Sequence, residues 1–206
     1  MLASRLRCEA GRLALRVGVS FDDALPPVPG MAWTRLWLTQ GGYRGDLLAR
    51  LDEALPFVDG AFDLVWLQHA LEPAPRGARL LAEACRVLAP GGVLVVTALH
   101  PLGGWAPWFL WRARGQRQAL QWPLRLRQRL RHEGLRVEEL RRLGASWPRG
   151  TPVGDNPRGG GYLLLARKER SLVLPLKWRL RPVGVSAMPL SPGARRRAVS
   201  ERDGCA

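Results

Sequence analysis

Residues 62–98 read FDLVWLQHALEPAPRGARLLAEACRVLAPGGVLVVTA, and the way this stretch divides decides the fold. Phe62 to Gln68 is apolar on nearly every side, the mark of a strand covered on both faces rather than one half-exposed to water. From Arg76 to Leu88 the period changes. Leu80, Leu81, Ala84, Cys85 and Leu88 fall three and four apart along one helical stripe, and Glu83 and Arg86 lie three apart on another side. Ala89-Pro90-Gly91-Gly92 stops the helix, because proline cannot continue it and glycine supplies positive φ. Val93 to Ala98 follows as a second doubly covered strand. Strand, helix and strand in this order imply a parallel sheet with helices on both faces and a right-handed crossover, a doubly wound α/β architecture.

The flanks extend the same pattern. Leu13 to Val19 reads as a strand that ends at Gly18-Val19-Ser20, and Thr34 to Thr39 as another, between Gly30 and Gly41-Gly42. Asp46 to Glu53 is expected to form a short helix or turn. Downstream, Trp105 to Arg114 and Leu124 to His132 read as helices, Leu135 to Leu143 and Gly161 to Arg167 as strands. Residues 1–170 form the expected domain. Residues 171–206 are expected to be a basic, proline-containing extension, mobile and packed only in part through Leu174, Leu176 and Trp178.

Composition limits the remaining choices. A chain of 206 residues suits one α/β domain, and 47% hydrophobic residues with nine Trp support a real core, which excludes collagen-like, disordered and small disulfide-held classes. No apolar run reaches the roughly 18 residues of a membrane-spanning helix. Cys8, Cys85 and Cys205 are too far apart for a disulfide framework or a zinc site, and a reducing cytoplasm is the expected compartment. Arginines interrupt the N-terminal apolar stretch, so a secretory signal is not expected. The net charge is +15, and all but two of the 32 cationic residues are arginine. Such a chain binds polyanions at least nonspecifically.

Four short motifs carry a family resemblance. Leu55-Pro56-Phe57, Phe62-Asp63-Leu64-Val65, Glu83 with Arg86-Val87-Leu88, and Pro90-Gly91-Gly92 stand in the order and spacing found in class I S-adenosylmethionine-dependent methyltransferases of type 11, which this stretch resembles. The resemblance implies a seven-stranded Rossmann-like sheet whose last strand is antiparallel, S-adenosylmethionine as cofactor, and a ligand crevice at the carboxyl ends of the first strands. By matching positions, Gly18 is the first glycine of the cofactor loop, followed by Ser20. Gln40 stands where a ribose-binding acid is usual, Asp52, Glu53 and Leu55 lie near the adenine, and Gln68 and His69 leave the fourth strand beside the methyl group. Arg16 occupies the place of the acid that would meet the methionyl ammonium.

Methyl transfer from a sulfonium needs chiefly alignment of the nucleophile, so a catalytic triad is not required. Where the acceptor is an OH or NH a base helps, and His69 and His100 are the candidates because imidazole titrates near neutrality. Three widely separated histidines without a carboxylate cluster predict no metal centre. Trp105, Trp108, Phe109 and Trp111 either line an acceptor pocket, which favours a small or lipophilic acceptor, or pack one helix face on the sheet. Residues 112–149 hold eleven arginines against three glutamates. They form either a solvated face or a nucleic-acid surface. Three functions remain open: a methyltransferase, a methyltransferase-like protein without cofactor, and an arginine-rich nucleic-acid-binding module.

Overall fold

The computed structural model describes residues 13–19, 30–39, 41–72, 77–113, 120–146, 156 and 158–170. Ser20, Gln40 and the extension from residue 171 lie outside them. Seven strands form one mixed sheet: β1 Leu13–Gly18, β2 Ala32–Leu38, β3 Tyr43–Gly45, β4 Phe62–Gln68, β5 Leu88–Leu99, β6 Leu135–Leu143 and β7 Gly161–Lys168. Their order is β3-β2-β1-β4-β5-β7-β6. β2, β1, β4 and β5 run parallel, and β7 is antiparallel to both β5 and β6. Three helices are described: α1 Gly77–Val87, α2 Trp105–Arg112 and α3 Pro123–His132.

Alternation along the central strands accounts for their unbroken apolar runs. Leu15, Val65, Leu67, Leu94 and Val96 face one core with Leu80, Leu81 and Ala84 of α1 and Leu126 and Leu130 of α3. Ala14, Leu64, Trp66, Val93 and Val95 form a second core on the opposite face. Both sets are buried, so no polar alternation survives.

At two places the chain differs from expectation. β5 begins at Leu88, directly after α1, and the Pro90-Gly91-Gly92 bend lies within it. Gly91 has φ +83, and a Cβ on Gly92 would stand 2.9 Å from the Asp63 carbonyl oxygen, so both glycines are sterically required. Where a helix or turn is expected, over Asp46 to Glu53, the chain bends without a helix, so that Tyr43 and Ala49 close an isolated antiparallel bridge, and β3, which the sequence did not suggest, pairs antiparallel with β2. Asp46 holds this edge, its carboxylate accepting the Arg35 N–H at 2.7 Å while its own N–H donates to the Arg35 carbonyl.

The end of α1 is tied across the sheet. Lys168 of β7 donates to the Cys85 and Leu88 carbonyls at 2.6 and 2.7 Å, satisfying helix-terminal acceptors with a cation at the negative end of the dipole. Lys168→Met keeps the aliphatic stem and loses both bonds. Chemical denaturation should show a loss of about 1–3 kcal/mol; an unchanged midpoint would contradict the role.

Candidate active site

In an open parallel sheet the crevice lies where strand order reverses. Here the reversal is at β1, whose two neighbours are β2 and β4. Gly18 ends β1 level with Trp37 of β2 and Gln68 of β4. Two residues earlier, the Arg16 side chain is 4% exposed and lies along the sheet face. Its Nε donates to Gln68 Oε1 at 2.9 Å, and its guanidinium carbon is 5.5 Å from the centre of a Trp66 ring. Gln68 thus holds a cation rather than standing alone beside the crevice.

An open cavity of about 470 Å³ adjoins Gln68 at the carboxyl ends of β4 and β5. Trp66, Gln68 and Thr97 line it from the sheet, and Trp105, Trp108 and Phe109 line it from α2. The spacing i, i+3, i+4 puts those three aromatics on one helix face. Trp105, Trp108 and Phe109 border the cavity, whereas Trp111 is turned outward and 59% exposed. The wall is fixed from behind. Trp105 Nε1 donates to the Ala145 carbonyl at 2.9 Å and its ring meets Trp108 edge-on. Gly160 leaves room for it, since a Cβ there would fall 2.0 Å from Trp105 Cδ1.

His69 leaves β4 with φ +51, a conformation uncommon outside glycine, and lines the same cavity. Its N–H donates to the Thr97 carbonyl. Glu72 is 2% exposed and receives two donors on Oε1, His69 Nδ1 at 3.1 Å and the Leu99 N–H at 2.9 Å. A carboxylate only accepts, so this contact places the neutral imidazole proton on Nδ1 and leaves the Nε2 lone pair for a substrate proton. Nothing in the sequence reading singled out Glu72. The signal was present as a His-x-x-Glu spacing directly after a strand.

His100 has the opposite arrangement. Its Nδ1 accepts the Leu102 N–H at 3.1 Å, so the neutral ring carries its proton on Nε2 and has no lone pair to spare. Burial, with the positive charge of Arg142 nearby, lowers its pKa. It is outside the cavity lining and serves the turn before α2.

The family-like motifs around Leu55 make a structural clamp. Leu55 is 3% exposed, and its N–H donates to Glu83 Oε2 at 2.8 Å. Arg86 donates to the carbonyls of Leu55 and Phe57 at 2.9 and 2.8 Å and to Asp59 at 2.6 Å, while also pairing with Glu83. Asp52 and Glu53 sit apart from this clamp, largely exposed and both paired with Arg50. The hydrogen bond from Arg50 holds Asp52 at a pKa of about 2. Among the described residues no group of three His, Cys, Asp or Glu could hold a metal ion.

A family model described as "Methyltransferase domain" matches residues 38–96. A solved S-adenosylmethionine-dependent methyltransferase from Archaeoglobus fulgidus superposes with TM-score 0.57 at 14% identity, covering 81% of this chain and 93% of that one. The fold is that of the class I methyltransferases. Within this methyltransferase fold the family match starts after β1, so it leaves out the Arg16-to-Ser20 segment. The phthiotriol/phenolphthiotriol dimycocerosates methyltransferase 1 of Mycobacterium ulcerans is 46% identical over 93 residues, 45% of this chain and 29% of that protein. The ubiquinone/menaquinone biosynthesis C-methyltransferase UbiE of Methylobacterium nodulans is 49% identical over 49 residues, 24% of this chain and 19% of that protein. The aligned stretches therefore span less than a third of these curated relatives.

Proposed function

We propose that this chain transfers a methyl group from S-adenosylmethionine to a small, largely apolar acceptor seated beneath α2. The observation that carries the reading is the junction at Gln68, where the switch-point crevice beside Gly18 meets an aromatic cavity containing a carboxylate-oriented histidine. The names of the two relatives, one referring to phenolphthiotriol dimycocerosates and the other to ubiquinone and menaquinone biosynthesis, agree with an apolar acceptor.

The residues present fit the cofactor through backbone and apolar surface rather than through carboxylates. Gly18 brings a bare α-carbon to the switch point, and Gln68 and His69 stand between it and the aromatic wall. The guanidinium of Arg16 favours the carboxylate of the methionyl group over its ammonium, the reverse of an acidic residue there. Bound, the cofactor supplies an electrophilic methyl on a sulfonium. The chain's own work is alignment and proton removal: the aromatic wall excludes water and seats the acceptor, His69 Nε2 takes the acceptor proton, and Glu72 steadies the resulting imidazolium.

A second reading, a methyltransferase-like protein without cofactor, is favoured by one observation, the buried cation two residues before Gly18. Incubation with S-adenosylmethionine labelled in its methyl group and a panel of phenols, quinols and hydroxylated lipids tests the proposal. Label should enter a solvent-extractable product. Label confined to the aqueous phase across the whole panel would favour the scaffold.

A further inference from the structure

We infer that α2 and the turn entering α3 form a surface that docks on an anionic lipid bilayer. Among the described residues, six of the eleven exposed large hydrophobic side chains fall between positions 102 and 124: Leu102, Trp108, Leu110, Trp111, Trp122 and Leu124. α2 reads WAPWFLWR, carries no charge before Arg112, and buries Ala106 alone. A helix apolar on all sides belongs in a core or at a lipid interface, and this one is exposed. Tryptophan is the residue best suited to the headgroup boundary, with an apolar body and one polar tip.

The second part of α3's approach belongs to the same place. Tyr162, which lines the cavity, donates to the Gln121 carbonyl at 3.1 Å, so Trp122 follows directly from a residue bonded to the cavity wall. Trp108 belongs to both surfaces, lining the cavity while 42% exposed.

Charge selects the occupant. From Val87 to His132 there is no acidic residue and there are seven arginines. Arg125, Arg127, Arg129 and Arg131 of α3 are exposed, and Leu126 and Leu130 face inward. Apolar side chains flanked by arginines match an anionic interface, where burial and attraction to headgroups add. A second copy of the chain would bring the same cations against each other. A nucleic acid, whose bases can stack on tryptophan but not on aliphatic side chains, would leave Leu102, Leu110 and Leu124 in water. No helix among the described residues is long and apolar enough to cross a membrane, so α2 lies on the surface. An acceptor dissolved in the bilayer then meets the cavity at the helix that forms its wall.

Flotation of the full chain, without cofactor, with phosphatidylcholine vesicles or with vesicles containing phosphatidylglycerol tests this independently of methyl transfer. The wild type should float with the anionic vesicles. A Leu110→Ser/Trp111→Ser variant, altering neither charge nor cavity lining, should bind them about tenfold more weakly or worse, at unchanged thermal unfolding. Leu140→Ser, on an exposed strand position outside the patch, should bind like wild type. Equal binding by the double variant would reduce the interaction to net charge and overturn the inference. So would failure to float with any vesicle, an equal loss in Leu140→Ser, or a wild-type dimer that the double variant dissociates without any lipid binding.

Discussion

Arg86→Ala should cost about 2–4 kcal/mol of unfolding free energy, among the largest single-residue losses expected in this chain. The guanidinium is the only described side chain that joins α1 to the carbonyls of Leu55 and Phe57 and to Asp59. Its removal leaves those acceptors to water and Glu83 without its cation. The same clamp sets an acid response. The hydrogen bond from Arg86, aided by the Leu55 N–H and opposed by burial, lowers the pKa of Glu83 in the fold. A depressed carboxylate contributes stability above its unfolded pKa and loses it as pH falls through the folded value. Wild-type stability should therefore decline on acidification through and below the ordinary glutamate range more steeply than that of Glu83→Gln. Urea titrations across that window measure both effects. Parallel pH profiles, or an Arg86→Ala midpoint within error of wild type, would contradict the clamp.

His69→Asn should lower methyl transfer about 100- to 10,000-fold with a hydroxylated acceptor while leaving cofactor binding unchanged. Asparagine tolerates the positive φ recorded at this position, so the substitution removes the imidazole without adding backbone strain. Glu72→Gln retains an acceptor oxygen for the Leu99 N–H but removes the charge facing Nδ1. It should lower kcat by a smaller factor with KM nearly unchanged. His100→Gln should leave turnover close to wild type, because that ring serves the Leu102 turn. Initial rates at saturating cofactor distinguish the three. A His100 variant more damaging than the His69 variant would reverse the assignment.

The central sheet was legible because both of its faces are buried. FDLVWLQ and VLVVTA have no polar alternation, and the α1 stripe between them has a helical period. β3 was not legible. Tyr43, Arg44 and Gly45 carry no periodic signal, and what makes them a strand is the distant Asp46–Arg35 pairing and the bridge to Ala49. The site divides along the same line. Trp105, Trp108 and Phe109 declare a helix face by their spacing, and His69 stands at a strand end. Glu72 became a partner only because the chain beyond β4 folds back so that its carboxylate reaches both His69 and Leu99. Leu55 reads as a ligand-binding position by motif but sits in the core with both backbone polar groups committed to α1.

Isothermal titration of the full chain with S-adenosylhomocysteine, the demethylated cofactor, tests the central claim most directly. The account predicts saturable binding of one ligand per chain with a Kd in the micromolar range, preserved in His69→Asn. No heat with ligand at millimolar concentration, from protein that unfolds cooperatively, would contradict it and leave the sheet as a scaffold with Arg16 in the place of a cofactor-binding acid.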